Sequence, residues 1–228
     1  MTMQMILKTR DGYLLASDRQ MVDEQATRTA MHTEKIVDLP AQRVTYMASG
    51  DECALRAAND FADLVKDQRF NMDDIGRSLR DICDNRWQRE NEYLASRHTT
   101  LPDYSRTLLV LFYGLSPAQV WQVAVGRTSN AYQMARGFAR GGAGTNTAWF
   151  FLNRYHDASK SVAELLPLAV HTLLMGKALD STLIDGVQVV AYYSGAEGLN
   201  PIVDLKDTVS KSREVDEYLA ARLLASNT

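Results

Sequence analysis

Patterns typical of strands and patterns typical of helices occupy separate blocks of this sequence. The blocks are strand patterns within residues 3–48, helical spacing over 53–96, strands within 107–138, helices over 148–176, strands within 184–205 and a last helix over about 214–224. A parallel α/β sheet needs strands and helices in alternation, whereas separate blocks give layered folds. The order therefore predicts an α+β fold and argues against a doubly wound sheet.

The first block opens with a β-hairpin. Residues 3–9 alternate, which places Met3, Met5 and Leu7 on one face and Thr2, Gln4 and Ile6 on the other. Asp11-Gly12 is typical of a tight turn, and residues 13–17 form a short apolar run that suits a buried return strand. The polar residues 18–34 that follow carry no predicted element.

Composition limits the number of domains and the class of partner. The 228 residues suffice for one large domain or two small ones, and we expect a single domain over 1–228. The 25 basic and 28 acidic residues form no basic stripe, so nucleic acid is not an expected partner. The sequence has no apolar run of the roughly 18 residues that a spanning helix needs, and its start lacks the pattern of a signal peptide. We therefore expect a cytoplasmic protein without a membrane partner, in which Cys53 and Cys83 are buried thiols.

The spacings of the common metal and nucleotide sites do not occur in the sequence. The four histidines, His32, His98, His156 and His171, are scattered without metal-ligand spacing, and there is no serine hydrolase or dinucleotide motif. The glycine-rich run 140–145 is similar to an anion-binding helix entry, but it lacks the lysine of a phosphate loop. We expect neither a metal nor another cofactor.

Thr2 directly follows the initiator methionine. Removal of Met1 would leave a hydroxyl and a free α-amino group on one residue. An amine with an ordinary pKa of about 7.7–8.0 accepts the hydroxyl proton near neutral pH while the hydroxyl attacks. Thr2 is thus a candidate N-terminal nucleophile, although many proteins begin with the same two residues.

Five short segments, taken in order, resemble the proteasome β-subunit family of N-terminal nucleophile hydrolases. They are Thr2 with the hairpin that ends in 14–19, the segment 31–36, Ser49-Gly50-Asp51 before a helix, Gly142-Ala143-Gly144 before another, and Asp180 followed by 184–187. The resemblance spans nearly the whole chain and implies a four-layer αββα sandwich. In character the sequence is most similar to the proteasome homologues of β-proteobacteria or to the ancestral β-subunit group.

The resemblance implies roles for individual residues. Thr2 would be the nucleophile, and Lys35 would lie beside its hydroxyl. Asp18 would hold Lys35 in place, and Asp180 would help to fix the terminal amine. Whether the amine or Lys35 takes the hydroxyl proton stays open, and the alternative for Asp18 and Lys35 is an ordinary surface ion pair.

Family position also indicates a substrate pocket. Five uncharged residues are expected near the substrate's leading side chain: Met21, Thr33, Val37, Thr45 and Ser49. Their small or apolar character favours an uncharged substrate residue there. The alternative interpretation of all five is plain core packing.

Three positions depart from the family pattern. Ala143, beside Gly144, stands where the family has a serine that supports the terminal amine. Met47 stands where a glycine supplies a backbone N–H to the oxyanion hole, and Leu183 stands where a serine is expected. Together the departures suggest weak activity or an altered substrate.

The resemblance implies a threonine peptidase that cleaves peptide bonds inside stacked rings of identical subunits. Unfolded protein or peptides would be the substrates, and an ATP-dependent unfoldase is a potential partner. Two alternatives stay open. A catalytically silent scaffold subunit is favoured by Ala143 and Leu183, and retention of Met1 in the native protein would support it. An N-terminal-nucleophile amidase for a small molecule would require a closed pocket in place of a ring cavity.

Overall fold

The computed structural model describes residues 2–23, 29–101, 105–134, 137–142, 146–179 and 185–225. Its strands are β1 (Met3–Thr9), β2 (Gly12–Ser17), β3 (Gln20–Asp23), β4 (Thr29–His32), β5 (Val37–Leu39), β6 (Val44–Ser49), β7 (Thr107–Phe112), β8 (Gln119–Ala124), β9 (Asn130–Gln133), β10 (Phe138–Gly142), β11 (Gln188–Tyr193) and β12 (Asn200–Pro201). Its helices are α1 (Glu52–Lys66), α2 (Ile75–Ala95), α3 (Asn146–Tyr155), α4 (Val162–Leu179) and α5 (Lys206–Ala225).

Two five-stranded antiparallel sheets form the centre of the molecule. The first sheet has the strand order β10-β1-β2-β11-β12, and the second has the order β5-β6-β7-β8-β9. β3 and β4 pair with each other as a separate two-stranded ribbon. The hairpin predicted at the start of the chain is confirmed, since β1 and β2 pair from Gln4 opposite Ser17 to Thr9 opposite Gly12.

The alternation of side chains along the strands creates three core layers. In β7, Leu108, Val110 and Phe112 pack with α1 and α2, whereas Leu109 and Leu111 face the first sheet. In β1, Met3, Met5 and Leu7 pack against α3 and α4, whereas Ile6 lies between the sheets. Each sheet is thus covered by helices on one face and by the other sheet on its second face. The predicted four-layer αββα sandwich is confirmed.

Several element bounds differ from the sequence-based expectation. The polar residues 18–34 contain β3 and β4, which have no strong apolar alternation to announce them. The run 131–138, which ends the predicted strand block 107–138, is divided between β9 and β10, which belong to different sheets. α5 begins at Lys206, earlier than the predicted start near Glu214. No helix within the described ranges is both long and apolar enough to cross a bilayer.

A capping box formed by Ser161 and Glu164 starts α4. The Glu164 N–H donates to Ser161 Oγ at 3.3 Å, and the Ser161 N–H donates to Glu164 Oε2 at 2.9 Å. These reciprocal bonds satisfy two backbone donors that the first turn of a helix leaves free. The local sequence therefore determines where α4 begins.

Cys53 and Cys83 are free and buried, with 2% and 0% exposure. Burial raises the pKa of the Cys53 thiol to about 11 and that of Cys83 to about 12. Because the thiolate is the reactive form, we expect the native protein to resist iodoacetamide at neutral pH. Intact mass should show no adduct on the folded protein and two after unfolding in guanidinium. Rapid modification of folded protein would contradict this burial.

Candidate active site

Thr2, Asp18 and Lys35 lie together where β1 begins and β2 ends, at one end of the first sheet. The Lys35 ammonium donates to Thr2 Oγ1 at 2.8 Å and to Asp18 Oδ2 at 2.7 Å. It also donates to the backbone carbonyl of Gln20. Thr2 is 9% exposed, and the side chains of Lys35 and Asp18 are 8% and 0% exposed. The structure thus brings together three of the four predicted catalytic side chains, in a buried cluster rather than a surface ion pair.

Asp18 is fixed by the backbone on both sides of the hairpin. It directly follows β2, and its N–H continues the ladder by donating to the Met3 carbonyl at 3.1 Å. Its carboxylate accepts from the Met3 N–H at 2.6 Å and from the Gln20 N–H at 3.1 Å. Met3 directly follows Thr2, and the Gln20 carbonyl accepts a hydrogen bond from the Lys35 ammonium. The Asp18 carboxylate is therefore bonded to the backbone beside both groups and sets the position of Lys35 relative to Thr2.

Burial acts in opposite directions on the two charged groups. Loss of water lowers the pKa of Lys35 below its ordinary 10.5, and the Asp18 carboxylate opposes that shift. The same loss of water raises the pKa of Asp18, and Lys35 and the backbone donors oppose it. A lysine with a lowered pKa can exchange a proton closer to neutral pH, which suits proton transfer to or from the Thr2 hydroxyl.

The lowered pKa of Lys35 predicts a rise of stability with pH. Between that lowered pKa and 10.5 the unfolded chain binds more protons at this lysine than the folded chain, so the free energy of unfolding increases with pH there. Lys35→Met removes this increase. The check is urea denaturation of both proteins from neutral pH up to about pH 10, within the lysine range. Parallel stability curves for the two proteins would contradict the prediction.

Gly142 provides a close approach of β10 to Thr2. It is the partner of Met3 in the β1–β10 pair, and its φ of +90° lies in a region that side chains disfavour. A Cβ built on Gly142 would overlap the Thr2 carbonyl oxygen. Glycine at this position therefore lets β10 support the backbone of Thr2. Ala143, Gly144 and Thr145 lie outside the described residues.

Two glutamines next to the cluster were not predicted from the sequence. Gln188 Oε1 accepts from the Lys35 N–H at 2.8 Å and from the Ile36 N–H at 3.2 Å. Gln4 Nε2 donates to the Ala48 carbonyl at 2.5 Å. The available signal was a polar side chain beside apolar residues, at the start of β11 for Gln188 and between Met3 and Met5 of β1 for Gln4.

Met47 does not supply the oxyanion donor that the sequence suggested. The Tyr113 N–H donates to the Arg43 carbonyl at 3.1 Å, so the pairs formed by residues 45 with 111 and 47 with 109 are the next hydrogen-bonded pairs of this antiparallel ladder. The Met47 N–H therefore points at Leu109. Its side chain is fully buried between the sheets. The residue belongs to the core because it lies within a central strand.

The five expected pocket residues fall into two groups. Met21 and Val37 are 38% and 37% exposed, and Thr33 is partly exposed, so these three offer surface to a substrate. Thr45 has no exposed surface, and its hydroxyl donates to the Val37 carbonyl at 2.8 Å. Ser49 is 1% exposed at the end of β6. Thr45 and Ser49 therefore contact neighbouring strands and not a substrate.

The segment after residue 184 contacts the same region. The Arg19 N–H donates to the Asp185 carbonyl at 2.8 Å, and Gly186 lies against the Arg19 side chain. The Thr33 N–H donates to the Arg19 carbonyl at 2.8 Å, which links this segment to the one carrying Lys35. Asp180 and Leu183 lie outside the described residues. Among the side chains that the structure describes, no group of three or more could hold a metal ion.

Solved structures with the same architecture exist. No protein-family model and no curated protein matches the sequence. The Anbu (Gly-1) mutant from Hyphomicrobium sp. strain MC1 superposes with a TM-score of 0.69 at 11% identity, over 97% of each chain. Anbu, described as an ancestral β-subunit, from Yersinia bercovieri gives the same values.

The chain therefore has the proteasome-like fold of Anbu. Because identity is only 11%, the likeness establishes the fold and not the activity. The resemblance inferred from short sequence motifs is confirmed at this coarse level. A closer relation to the ancestral β-subunit group or to the homologues of β-proteobacteria stays a prediction.

Proposed function

We propose that this chain is a threonine-type peptidase subunit in which removal of Met1 exposes Thr2 as the nucleophile. The supporting observation is the placement of Lys35 Nζ, 2.8 Å from Thr2 Oγ1 and 2.7 Å from Asp18 Oδ2, in a buried cluster. A lysine held by an aspartate against a terminal hydroxyl is suited to activate that hydroxyl. An ordinary structural ion pair would not need Thr2 as a third member.

In the proposed reaction, Thr2 Oγ attacks the carbonyl carbon of a peptide bond. The hydroxyl proton passes to the neutral Thr2 amine, or to Lys35 when that side chain is in its neutral amine form, and the positive charge then present near the site stabilises the developing oxyanion. Breakage of the C–N bond releases the amine product, which takes up the proton, and leaves an ester on Thr2. Water then attacks the ester with transfer of its proton to the same base, which releases the acid product and restores the hydroxyl.

We further propose that the subunits assemble into closed, self-compartmentalised rings of identical copies in the cytoplasm. The likeness to Anbu over 97% of the chain supports a proteasome-like scaffold for such assembly. Peptides or unfolded protein are the proposed substrates, with an ATP-dependent unfoldase as a potential partner. Met21, Thr33 and Val37 are uncharged and offer exposed surface, which supports an uncharged residue on the leading side of the cleaved bond.

The test starts with protein whose intact mass confirms a Thr2 N-terminus. It is incubated with fluorogenic peptides that carry uncharged leading residues and with a peptide epoxyketone, followed by peptide mapping. We expect peptide turnover and a covalent adduct at Thr2. Light scattering of the same sample is expected to give a particle mass much larger than that of one chain. Absence of both turnover and adduct would overturn the peptidase. Assembled rings that retain Met1 in cells would favour the silent scaffold instead.

A further inference from the structure

The hydrogen-bond ladder between β5 and β6 stops just before Lys35. Val37 pairs with Tyr46 and Leu39 pairs with Val44, so continued pairing would place Lys35 opposite Ala48. Residues 43, 45 and 47 direct their backbone groups at β7, and residues 44, 46 and 48 therefore direct theirs toward β5. A further rung would join the Lys35 N–H to the Ala48 carbonyl.

Two glutamine side chains occupy the positions of that rung. Gln188 Oε1 accepts hydrogen bonds from the Lys35 N–H at 2.8 Å and from the Ile36 N–H at 3.2 Å. Gln4 Nε2 donates a hydrogen bond to the Ala48 carbonyl at 2.5 Å, and Gln4 is fully buried. Both backbone groups are thereby satisfied without pairing to each other, which removes the penalty of opening the ladder.

The opening determines where the side chain of Lys35 lies. Gln188 is the cross-strand partner of Ser17, the residue directly before Asp18. An acceptor on Gln188 therefore anchors the Lys35 backbone to the first sheet, next to Asp18 and Thr2. A closed rung would hold the same backbone against β6 in the second sheet. The separation of Lys35 from β6 lets its ammonium reach both Thr2 Oγ1 and Asp18 Oδ2.

We propose that Gln188 is a positioning residue for Lys35, with Gln4 as its counterpart on the side of β6. This inference rests on the proposed peptidase function for its kinetic consequence. Gln188 acts through the backbone of Lys35, whose N–H donates to its side-chain oxygen. Removal of its acceptor oxygen frees the Lys35 N–H to pair with Ala48 and moves the ammonium away from Thr2.

The test compares three variants of protein with a free Thr2. Gln188→Met removes the acceptor at similar volume, and Gln188→Glu retains an acceptor oxygen. Gln122→Met is the matched control, because Gln122 Oε1 likewise accepts a backbone N–H, from Arg140 at 3.3 Å. Displacement of Lys35 by about 1 Å is expected to lower kcat about 100-fold in Gln188→Met with KM little changed. Gln188→Glu is expected to retain most of kcat, and Gln122→Met all of it.

Crystal structures provide a readout that does not depend on activity. In Gln188→Met the distance from Lys35 Nζ to Thr2 Oγ1 is expected to exceed hydrogen-bond range, compared with 2.8 Å in the parent. An unchanged distance or an unchanged kcat would overturn the positioning role. A parent protein that is inactive with a free Thr2 would overturn the peptidase, while the distance still tests Gln188. If Gln188→Met does not fold, Gln188→Asn, one methylene too short to reach, is measured in the same way.

Discussion

Thr2→Ala protein with its new N-terminus exposed is expected to lose peptide cleavage by at least about 10⁴-fold, because the substitution removes the attacking oxygen. Asp18 and Lys35 stay in place, so folding and assembly should be retained. Thr2→Ser keeps a hydroxyl and an amine on one residue and should retain measurable turnover. Initial rates with a fluorogenic peptide and mass spectrometry after epoxyketone treatment give the two readouts.

The matched control for this substitution is Thr9→Ala at the opposite end of the same strand. Thr9 is 3% exposed, and its hydroxyl donates to Asp11 Oδ1 at 2.8 Å. It is the last residue of β1, whereas Lys35 contacts Thr2 at the start of that strand. Its loss should affect stability by about 1 kcal/mol and leave turnover unchanged. Cleavage that survives in Thr2→Ala, or an adduct on another residue, would exclude Thr2 as the nucleophile.

Local periodicity was sufficient to predict the opening hairpin and the two faces of its first strand, whereas the four layers were implied by the family resemblance. The alternation of Met3, Met5 and Leu7 with Gln4 and Ile6 separates two faces of β1, and the structure packs the first against the helices and the second against the other sheet. Such patterns depend on neighbours within a few residues, so they can be read without the fold. The division of 131–138 between two sheets could not be read in this way, because it depends on the pairing of β10 with β1.

The cluster of Thr2, Asp18 and Lys35 was predicted from order and type of residue, but its supports were not. Gln188 is separated from Lys35 by 153 positions, and a polar residue in an apolar strand does not indicate its partner. The burial of Thr45 and Ser49 and the direction of the Met47 N–H likewise follow from strand pairing. Motif position alone therefore grouped Thr2, Asp18 and Lys35 but did not indicate that these β6 residues are buried.

The structure also explains how a cluster at a chain terminus is held rigidly. Terminal residues usually fray unless they are tied down. Here the backbone of residues 2 and 3 is bordered by Asp18 on one side and by Gly142 on the other. Asp18 fixes the side that carries Lys35, and Gly142 fixes the side of β10. The placement of the proposed nucleophile thus depends on a residue without a side chain as much as on the charged pair.

Gly142→Ala is accordingly expected to destabilise the fold by at least about 3 kcal/mol, through backbone strain and overpacking. The added Cβ would overlap the Thr2 carbonyl oxygen, and the φ of +90° is unfavourable for alanine. Gly126→Ala is the matched control, since a Cβ there meets no described heavy atom within 4 Å. It should change the free energy of unfolding by less than about 0.5 kcal/mol. Urea denaturation of the three proteins measures both effects.

The same substitution separates geometry from chemistry. If Gly142→Ala folds, β10 and the start of β1 must move apart, and Thr2 shifts relative to Lys35 although all three members of the cluster are present. Peptide turnover is then expected to fall about 100-fold for a displacement near 1 Å, while Gly126→Ala keeps full turnover. Gly142→Ala protein with the stability and the turnover of the parent would contradict the close approach of β10 to Thr2. The proposed support of Thr2 by Gly142 would then be wrong.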